Sequence, residues 1–507
     1  MKDLKKAWHI WKASFIQQSL FYRTSLNKQH TVFDPNMFIP NPWPGDSLIG
    51  KEILDHSENQ INLIALFQNL SNKNDRNAFY GYSFAWIKDI QALGGNHTLK
   101  YVRYLISTFI NNYKNRKKFW LNYPSWTPWI IGERIINWIF AYQFFASGAN
   151  DSFQKEVLSS INEQFSHLFK IYKGETNLYF RLIVLKAIFF CLCSMHNKQF
   201  KHIKRIIKEI NEIIQIGFDD TGMFISKSPV DHFNCFKSLL EIRFMSKKVG
   251  INFDCEALSK IASCVRFLRL NDGKLSRYNE GTFFQPSRQM IDAALYFVDI
   301  KNSLESNISG FERLATKRIL LLVNTEASMT RSRFNNKHEP GIDIFTFEAS
   351  FGVERVINRS DIAVMIVDYY IKLFPNYKYF FNKSVTKDLI SFDGEVQQQN
   401  QFFNFMFRRN LFVKCNESKI GGSDVVYIPD LFKMFSRFVF NKASSLYIIN
   451  PKTVSIAVNN AKYIFKTYNG EIAICDNLLN KAYPAVIVSD FSKEGTAQLN
   501  WTLEEVE

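Results

Sequence analysis

The spacing of apolar residues changes period once along this chain, near residue 305, and that change limits the fold more than any motif does. Before it, apolar side chains recur every three to four residues. Leu99, Val102, Leu105, Ile106, Phe109, Ile110 and Tyr113 fall on one helical face. Val157, Leu158, Ile161, Phe165, Leu168 and Phe169 do the same, as do Ile203, Ile206, Ile207, Ile210, Ile213 and Ile214. Further helices are expected at 60–70, 83–92, 131–146, 178–195, 232–248, 255–268 and 287–299. After the change, short β-rich runs take over at 318–323, 344–349, 353–357, 362–368, 411–415, 437–440, 446–449, 454–458, 462–467 and 471–475. Val454, Ile456 and Val458 alternate with Ser455 and Ala457, and Asn459-Asn460 and Asn469-Gly470 supply turn chemistry. The glutamine-rich segment 396–404 reads as a loop.

Successive helices with short connections bury their stripes against sequence neighbours, as a ring of antiparallel pairs or a solenoid. Many short strands separated by polar turns argue for a sandwich. At 507 residues the chain exceeds one ordinary core. The expected class is multidomain α+β, with a helical domain over residues 1–305 and an antiparallel β-sandwich over 306–507.

The formal net charge of +16 favours polyanionic partners: nucleic acid, anionic lipid or acidic glycan. The basic runs Lys114-Asn115-Arg116-Lys117-Lys118 and Lys201-His202-Ile203-Lys204-Arg205 read as solvated helix faces. Phosphate-cradling glycine loops and nucleic-acid module signatures are absent from the sequence, so nucleic acid is not an expected partner. The seven cysteines are irregularly spaced without a CxxC pair, which speaks against a cysteine zinc site or a disulfide framework. Neither a metal nor another cofactor is expected. The N-terminus is basic and aromatic and lacks the apolar run of a secretory signal. The most apolar stretch, 183–195, is interrupted by Lys186 and falls short of the roughly 20 residues that span a bilayer.

A series of motifs runs through this frame. Asn41-Pro42-Trp43-Pro44-Gly45-Asp46 comes first, then Phe79-Tyr80-Gly81-Tyr82-Ser83-Phe84-Ala85-Trp86-Ile87-Lys88-Asp89-Ile90 and Leu93-Gly94-Gly95. Asp220-Thr221-Gly222, Lys227-Ser228-Pro229, Ser309-Gly310-Phe311-Glu312-Arg313-Leu314 and Phe347-Glu348-Ala349-Ser350 follow. In this order and spacing the set resembles the heparinase II/III-like family. The resemblance implies an incomplete (α/α) toroid followed by a β-sandwich, with a glycan groove between them. It also implies an acidic polysaccharide as partner, β-elimination as chemistry, and the cell envelope or periplasm as location, with the cytoplasm as the alternative because no secretory signal is seen.

Such a lyase removes the C5 proton of a uronic acid and expels the 4-linked sugar. It needs donors that neutralise the carboxylate, a base, and an acid for the leaving oxygen. By resemblance, Asn177 matches the family's carboxylate-neutralising Asn; it equally suits a helix N-cap. Asp231 stands where the family has its catalytic Tyr, so His232 and Tyr179 are the candidates to replace it. Gly341 stands where the family has a sandwich His, and His338 lies three residues earlier. Trp126, Pro128, Arg134 and Trp138 follow a toroid pattern of the family. Tyr80, Tyr82 and Trp126 suit sugar stacking or core packing. Arg134 suits a substrate carboxylate or a pairing with Asp89 or Glu133, and Arg269 a groove rim or a surface turn. Arg359-Ser360-Asp361 reads as the remnant of a further family segment. Because two catalytic positions differ, two other readings stand beside the lyase: a glycan-binding protein of the same fold, and a basic scaffold for nucleic acid or anionic lipid.

Overall fold

The structure, a computed structural model, describes residues 33–55, 63, 76–115, 124–253, 256–278, 285–298, 308–326, 342–366, 369–371, 377–400, 403–475 and 483–506. Chain contacts divide it into two compact units. The first comprises Met1–Asp220, Asp231–Ala262 and Thr282–Lys301; the second comprises Thr221–Val230, Ser263–Gly281 and Asn302–Glu507. Two short stretches of the helical half therefore group with the β-rich unit, which periodicity does not foretell.

The helices are α1 (Ser47–Leu54), α2 (Arg76–Ser83), α3 (Ile87–Leu93), α4 (Asn96–Asn115), α5 (Pro128–Ala146), α6 (Asp151–Ile171), α7 (Leu178–Cys193), α8 (Phe200–Gly217), α9 (Pro229–Lys248), α10 (Ala257–Phe267) and α11 (Arg288–Tyr296). The stripe expected on α4 is buried from Val102 to Tyr113. Asn150 caps α6 by accepting from the Phe153 N–H at 2.8 Å. From α3 to α8 each helix packs on its chain neighbour, α5 also packs on both α3 and α7, and α4 packs on α6. Contacts at both one and two helices' remove mark a two-layered α/α toroid. The inner helices are accordingly apolar nearly all round: every residue of α7 from Leu182 to Cys193 is buried. The helix expected at 60–70 lies outside the described residues apart from Leu63.

The strands are β1 (Phe311–Ala315), β2 (Ile319–Asn324), β3 (Ile342–Phe351), β4 (Glu354–Ile366), β5 (Tyr369–Tyr370), β6 (Lys378–Val385), β7 (Leu389–Asn400), β8 (Phe403–Lys414), β9 (Lys419–Tyr427), β10 (Lys433–Phe440), β11 (Ser444–Asn450), β12 (Thr453–Val458), β13 (Ala461–Thr467), β14 (Glu471–Cys475), β15 (Ala485–Phe491) and β16 (Thr496–Val506). One sheet runs β1-β2-β3-β4-β10-β15-β14 with β5 beside β4; the other runs β11-β12-β13-β16-β9-β8-β7-β6. Aromatic rings from the two inner faces fill the core. Phe347 stacks on Trp501 at 5.6 Å, and Phe438 meets that indole edge-on at 4.8 Å.

Within the loop expected at 396–404, the described residues 396–400 and 403–404 are instead strand. β7 runs to Asn400 and pairs with β8 through Gln397↔Met406 and Gln399↔Asn404. Its glutamines obey the two-residue period, with Gln397 exposed and Gln398 buried. The runs expected separately at 353–357 and 362–368 fuse into the single long strand β4. The expected class, a helical toroid followed in sequence by an antiparallel sandwich, is otherwise the one observed.

Candidate functional site

Polar side chains on three inner helices gather into one seam. Asn177 caps α7, its Oδ1 accepting from the N–H groups of Tyr179 at 3.0 Å and Phe180 at 3.2 Å. This fixes the carboxamide with its oxygen towards the helix and its NH2 away from it. Asn177 is exposed, so the cap and a donor for a ligand coexist in one side chain. Tyr179 follows, 3% exposed. Burial raises its phenol well above the ordinary range, and the charges of Asp231 and Glu133 raise it further. Tyr179 therefore holds its proton at neutral pH and is equipped to act as an acid.

Two turns along α7, Lys186 is fully buried. Its Nζ donates to Glu241 Oε2 at 2.6 Å, Glu133 Oε1 at 3.2 Å and Ser238 Oγ at 3.3 Å. Glu241 also receives Lys237 Nζ at 2.8 Å and the Trp43 indole N–H at 2.6 Å. The spacing explains the convergence. Asp231, Asn234, Ser238 and Glu241 recur at three and four residues on α9, Tyr179 and Lys186 lie seven apart on α7, and Glu133 sits on α5. Burial opposes charge on Lys186 and Glu241 alike. For Lys186 the two carboxylates prevail and raise the ammonium. For Glu241, Lys186 and Lys237 prevail and lower the carboxyl to about 2. The pair stays ionised through the neutral range. Trp43 also meets Phe244 and Phe297, which ties the Asn41–Asp46 motif to α9.

Other expected site residues lie elsewhere. Arg134 is fully buried, with Nε donating to Gln164 Oε1 at 2.7 Å and Nη1 to the carbonyls of Tyr82 at 3.0 Å and Ser125 at 2.9 Å. Its cation lies 4.6 Å from the Phe109 ring, and burial lowers its pKa to about 9. Neither expected partner takes it: Asp89 binds Tyr80 and Glu133 binds Lys186. Tyr82 and Trp126 are each 1% exposed, Trp126 between Tyr113 and His167, so packing is the role their placement gives them. Tyr80 is half-buried, its hydroxyl donating to Asp89 Oδ2 at 2.9 Å. His232 is fully buried, with Nε2 2.9 Å from the Ile261 carbonyl. A carbonyl only accepts, so Nε2 carries the hydrogen, and this ring serves the α9–α10 contact. It sits one residue round α9 from the seam. In the second unit Arg269 donates from Nε to the Gly273 carbonyl at 2.7 Å, closing a turn. His338 and Gly341 lie outside the described residues.

The Phe347–Ser350 motif has a structural counterpart in the second unit. Glu348 accepts from the Arg277 backbone N–H and from Arg355 Nη1 at 3.1 Å, and Arg355 also meets Asp272 at 3.1 Å. Burial raises Glu348 to about 7, against the pull of Arg355 and Arg277. Asp361 of the Arg359-Ser360-Asp361 segment accepts from Arg437 at 2.6 Å and pairs with Arg359 at 2.9 Å. Among the described residues, no group of three or more His, Cys, Asp or Glu side chains is placed to hold a metal. No described helix is long and apolar enough to cross a membrane.

The fold is thus that of a helical toroid joined in sequence to an antiparallel sandwich. Solved structures of polysaccharide lyases share it. Heparinase III is 14% identical, covering 98% of this chain and 85% of its own, with a TM-score of 0.63. Another heparinase III is 13% identical, covering 96% and 88%, with a TM-score of 0.58. The heparan sulfate lyase HepC from Pedobacter heparinus is 13% identical, covering 96% and 88%, with a TM-score of 0.52. At such identities the likeness establishes the fold. No family model matches the chain, and no curated protein matches it by sequence.

Proposed function

We propose that this protein is a polysaccharide lyase acting on uronic-acid-containing glycans by β-elimination. The observation that carries the reading is Asn177 beside Tyr179 at the start of an inner toroid helix, within a fold shared over nearly the whole chain with heparinase III. In this mechanism the Asn177 carboxamide N–H neutralises the uronate carboxylate and makes the C5 proton more acidic. The half-buried Asp231 takes that proton. Tyr179, held protonated by its surroundings, returns one to the departing 4-oxygen. Lys186 and Glu241 hold the inner helices in register behind these groups.

A second reading, glycan binding without turnover, is favoured by one observation. The carboxylates of Asp231 and Glu133 both act on Tyr179, and such charges repel a uronate from the place where the base must work. The two readings separate in one assay. The unsaturated uronate product absorbs in the ultraviolet, so absorbance is followed over heparan sulfate, hyaluronan and alginate for wild type, Asn177→Ala and Asp231→Asn. Wild-type turnover that both variants reduce by about 10²-fold or more supports the lyase. Binding of these polymers with a flat absorbance trace supports the second reading.

A further inference from the structure

We propose that the outer face of the first sheet, centred on Phe435, is a binding surface for an anionic glycan. It extends the acidic-glycan reading to the second unit and requires no turnover there.

Strand alternation assigns the face. Met434, Ser436 and Phe438 of β10 are fully buried in the sandwich, so Lys433, Phe435 and Arg437 take the opposite face, where Lys433 and Phe435 are half-buried and Arg437 is covered. The register sets Phe435 between Ala363 of β4 and Ser489 of β15. Both of these cross-strand neighbours are small. Tyr370 stands at 6.4 Å from Phe435, tilted by 50°. Lys433 lies between two rings, its Nζ 5.4 Å from Phe435 and 4.9 Å from Phe491. Tyr370 is 45% and Phe491 58% exposed, a large apolar area for an outer sheet face. At the other end Arg437 and Arg359 both hold Asp361.

Charge and shape together select the ligand. On this face Arg437 and Arg359 are tied to the buried Asp361, Lys433 lies over two rings, and Glu471 sits two strands from β10, opposite Ser489, so that three cations stand against two carboxylates. The small positive excess, with Lys433 beside the exposed rings, favours a partner that brings negative charge and also an apolar face to lay on those rings. An acidic sugar polymer has both: the C–H face of each pyranose stacks on an aromatic, and its carboxylate or sulfate reaches a neighbouring cation. Single-stranded nucleic acid offers a similar pair of features. The splayed rings of Tyr370 and Phe435 suit puckered sugars better than flat bases, which need parallel platforms.

The test is calorimetric titration of the full chain with a hyaluronan hexasaccharide and a heparin hexasaccharide, beside neutral maltohexaose and oligo-dT. Phe435→Ala and Lys433→Glu should each weaken binding of the acidic sugars by about tenfold or more, the equivalent of some 1.4 kcal/mol. Wild-type affinity should fall with added salt, and Lys433→Glu should flatten that dependence. Circular dichroism reports whether each variant keeps its fold. Should Phe435→Ala unfold, Tyr370→Ala at the exposed wall carries the same expectation. Carboxylate-only hyaluronan binding as tightly as heparin identifies uronate as the group read; preference for heparin identifies sulfate. Unchanged affinity in folded variants, equal binding of maltohexaose, tighter binding of oligo-dT, or no binding of either acidic sugar overturns the proposal. Failure of the lyase reading looks different: a flat absorbance trace with binding and its loss in these variants intact.

Discussion

Lys186 and Glu241 meet across two inner helices at 2.6 Å, and neither side chain has exposed surface. A buried pair of this kind is costly to break from one side, because the remaining charge is left in the core. Lys186→Met should lower stability by about 3–5 kcal/mol, leaving Glu241 and Glu133 facing an apolar side chain. Lys186→Met combined with Glu241→Leu should cost less than the sum of the single changes, measured by denaturant unfolding. The pair also gives the toroid a pH dependence. Glu241 is lowered to about 2 in the folded chain, so its contribution is full above the ordinary carboxyl value of 4.5 and is lost as pH falls towards about 2.

Asn177→Asp separates the two duties of this residue. A carboxylate still accepts from the N–H groups of Tyr179 and Phe180, so the α7 cap and the unfolding midpoint should be retained. The outward N–H2 is replaced by a negative oxygen, so uronate binding or turnover should fall sharply. Asn177→Ala should lose both, with a stability cost of about 1 kcal/mol. Turnover by Asn177→Asp at the wild-type rate would remove Asn177 from the mechanism.

Glu348 predicts an opposite pH effect in the second unit. Its carboxyl is raised from 4.5 to about 7, chiefly by burial, while Arg355 and Arg277 oppose the rise and Asp272 assists it. Between these values the folded chain keeps a proton that the unfolded chain has released. This group therefore adds stability as pH falls from about 7 to 4.5, and that contribution is absent above 7, a difference of roughly 3 kcal/mol. Glu348→Gln, which still accepts from Arg277, should be more stable than wild type at pH 8 and should lose this dependence. Unfolding curves from pH 5 to 8 with parallel slopes for both proteins would refute it.

Arg134 should prove structural. Arg134→Met leaves Gln164 and the carbonyls of Tyr82 and Ser125 without their donor, and should cost about 3 kcal/mol or more. Glycan affinity per folded molecule should not change. A titration showing lost affinity at unchanged stability would restore the substrate role that its spacing in sequence suggested.

The sequence by itself determined the order of the fold. The stripes of α4, α6 and α8 and the alternation in β12 are short-range patterns, and burying them leaves few arrangements. It also indicated Asn177 as an N-cap, because capping is a local property of one residue before one helix. The lone Lys186 in the most apolar run was a legible signal of a buried ion pair, though its partners were not. Only the tertiary structure decided those, since Glu133 and Glu241 lie 53 and 55 residues away on other helices. It likewise moved Arg134, Tyr82, Trp126 and His232 into the core, because periodicity says which face of a helix is apolar but not which polar residue the next helix will cover. The strip around Phe435 was beyond the sequence for the same reason. Lys433, Phe435 and Arg437 alternate visibly, but the small residues beside them come from β4 and β15, and register between distant strands is set by the whole sandwich core.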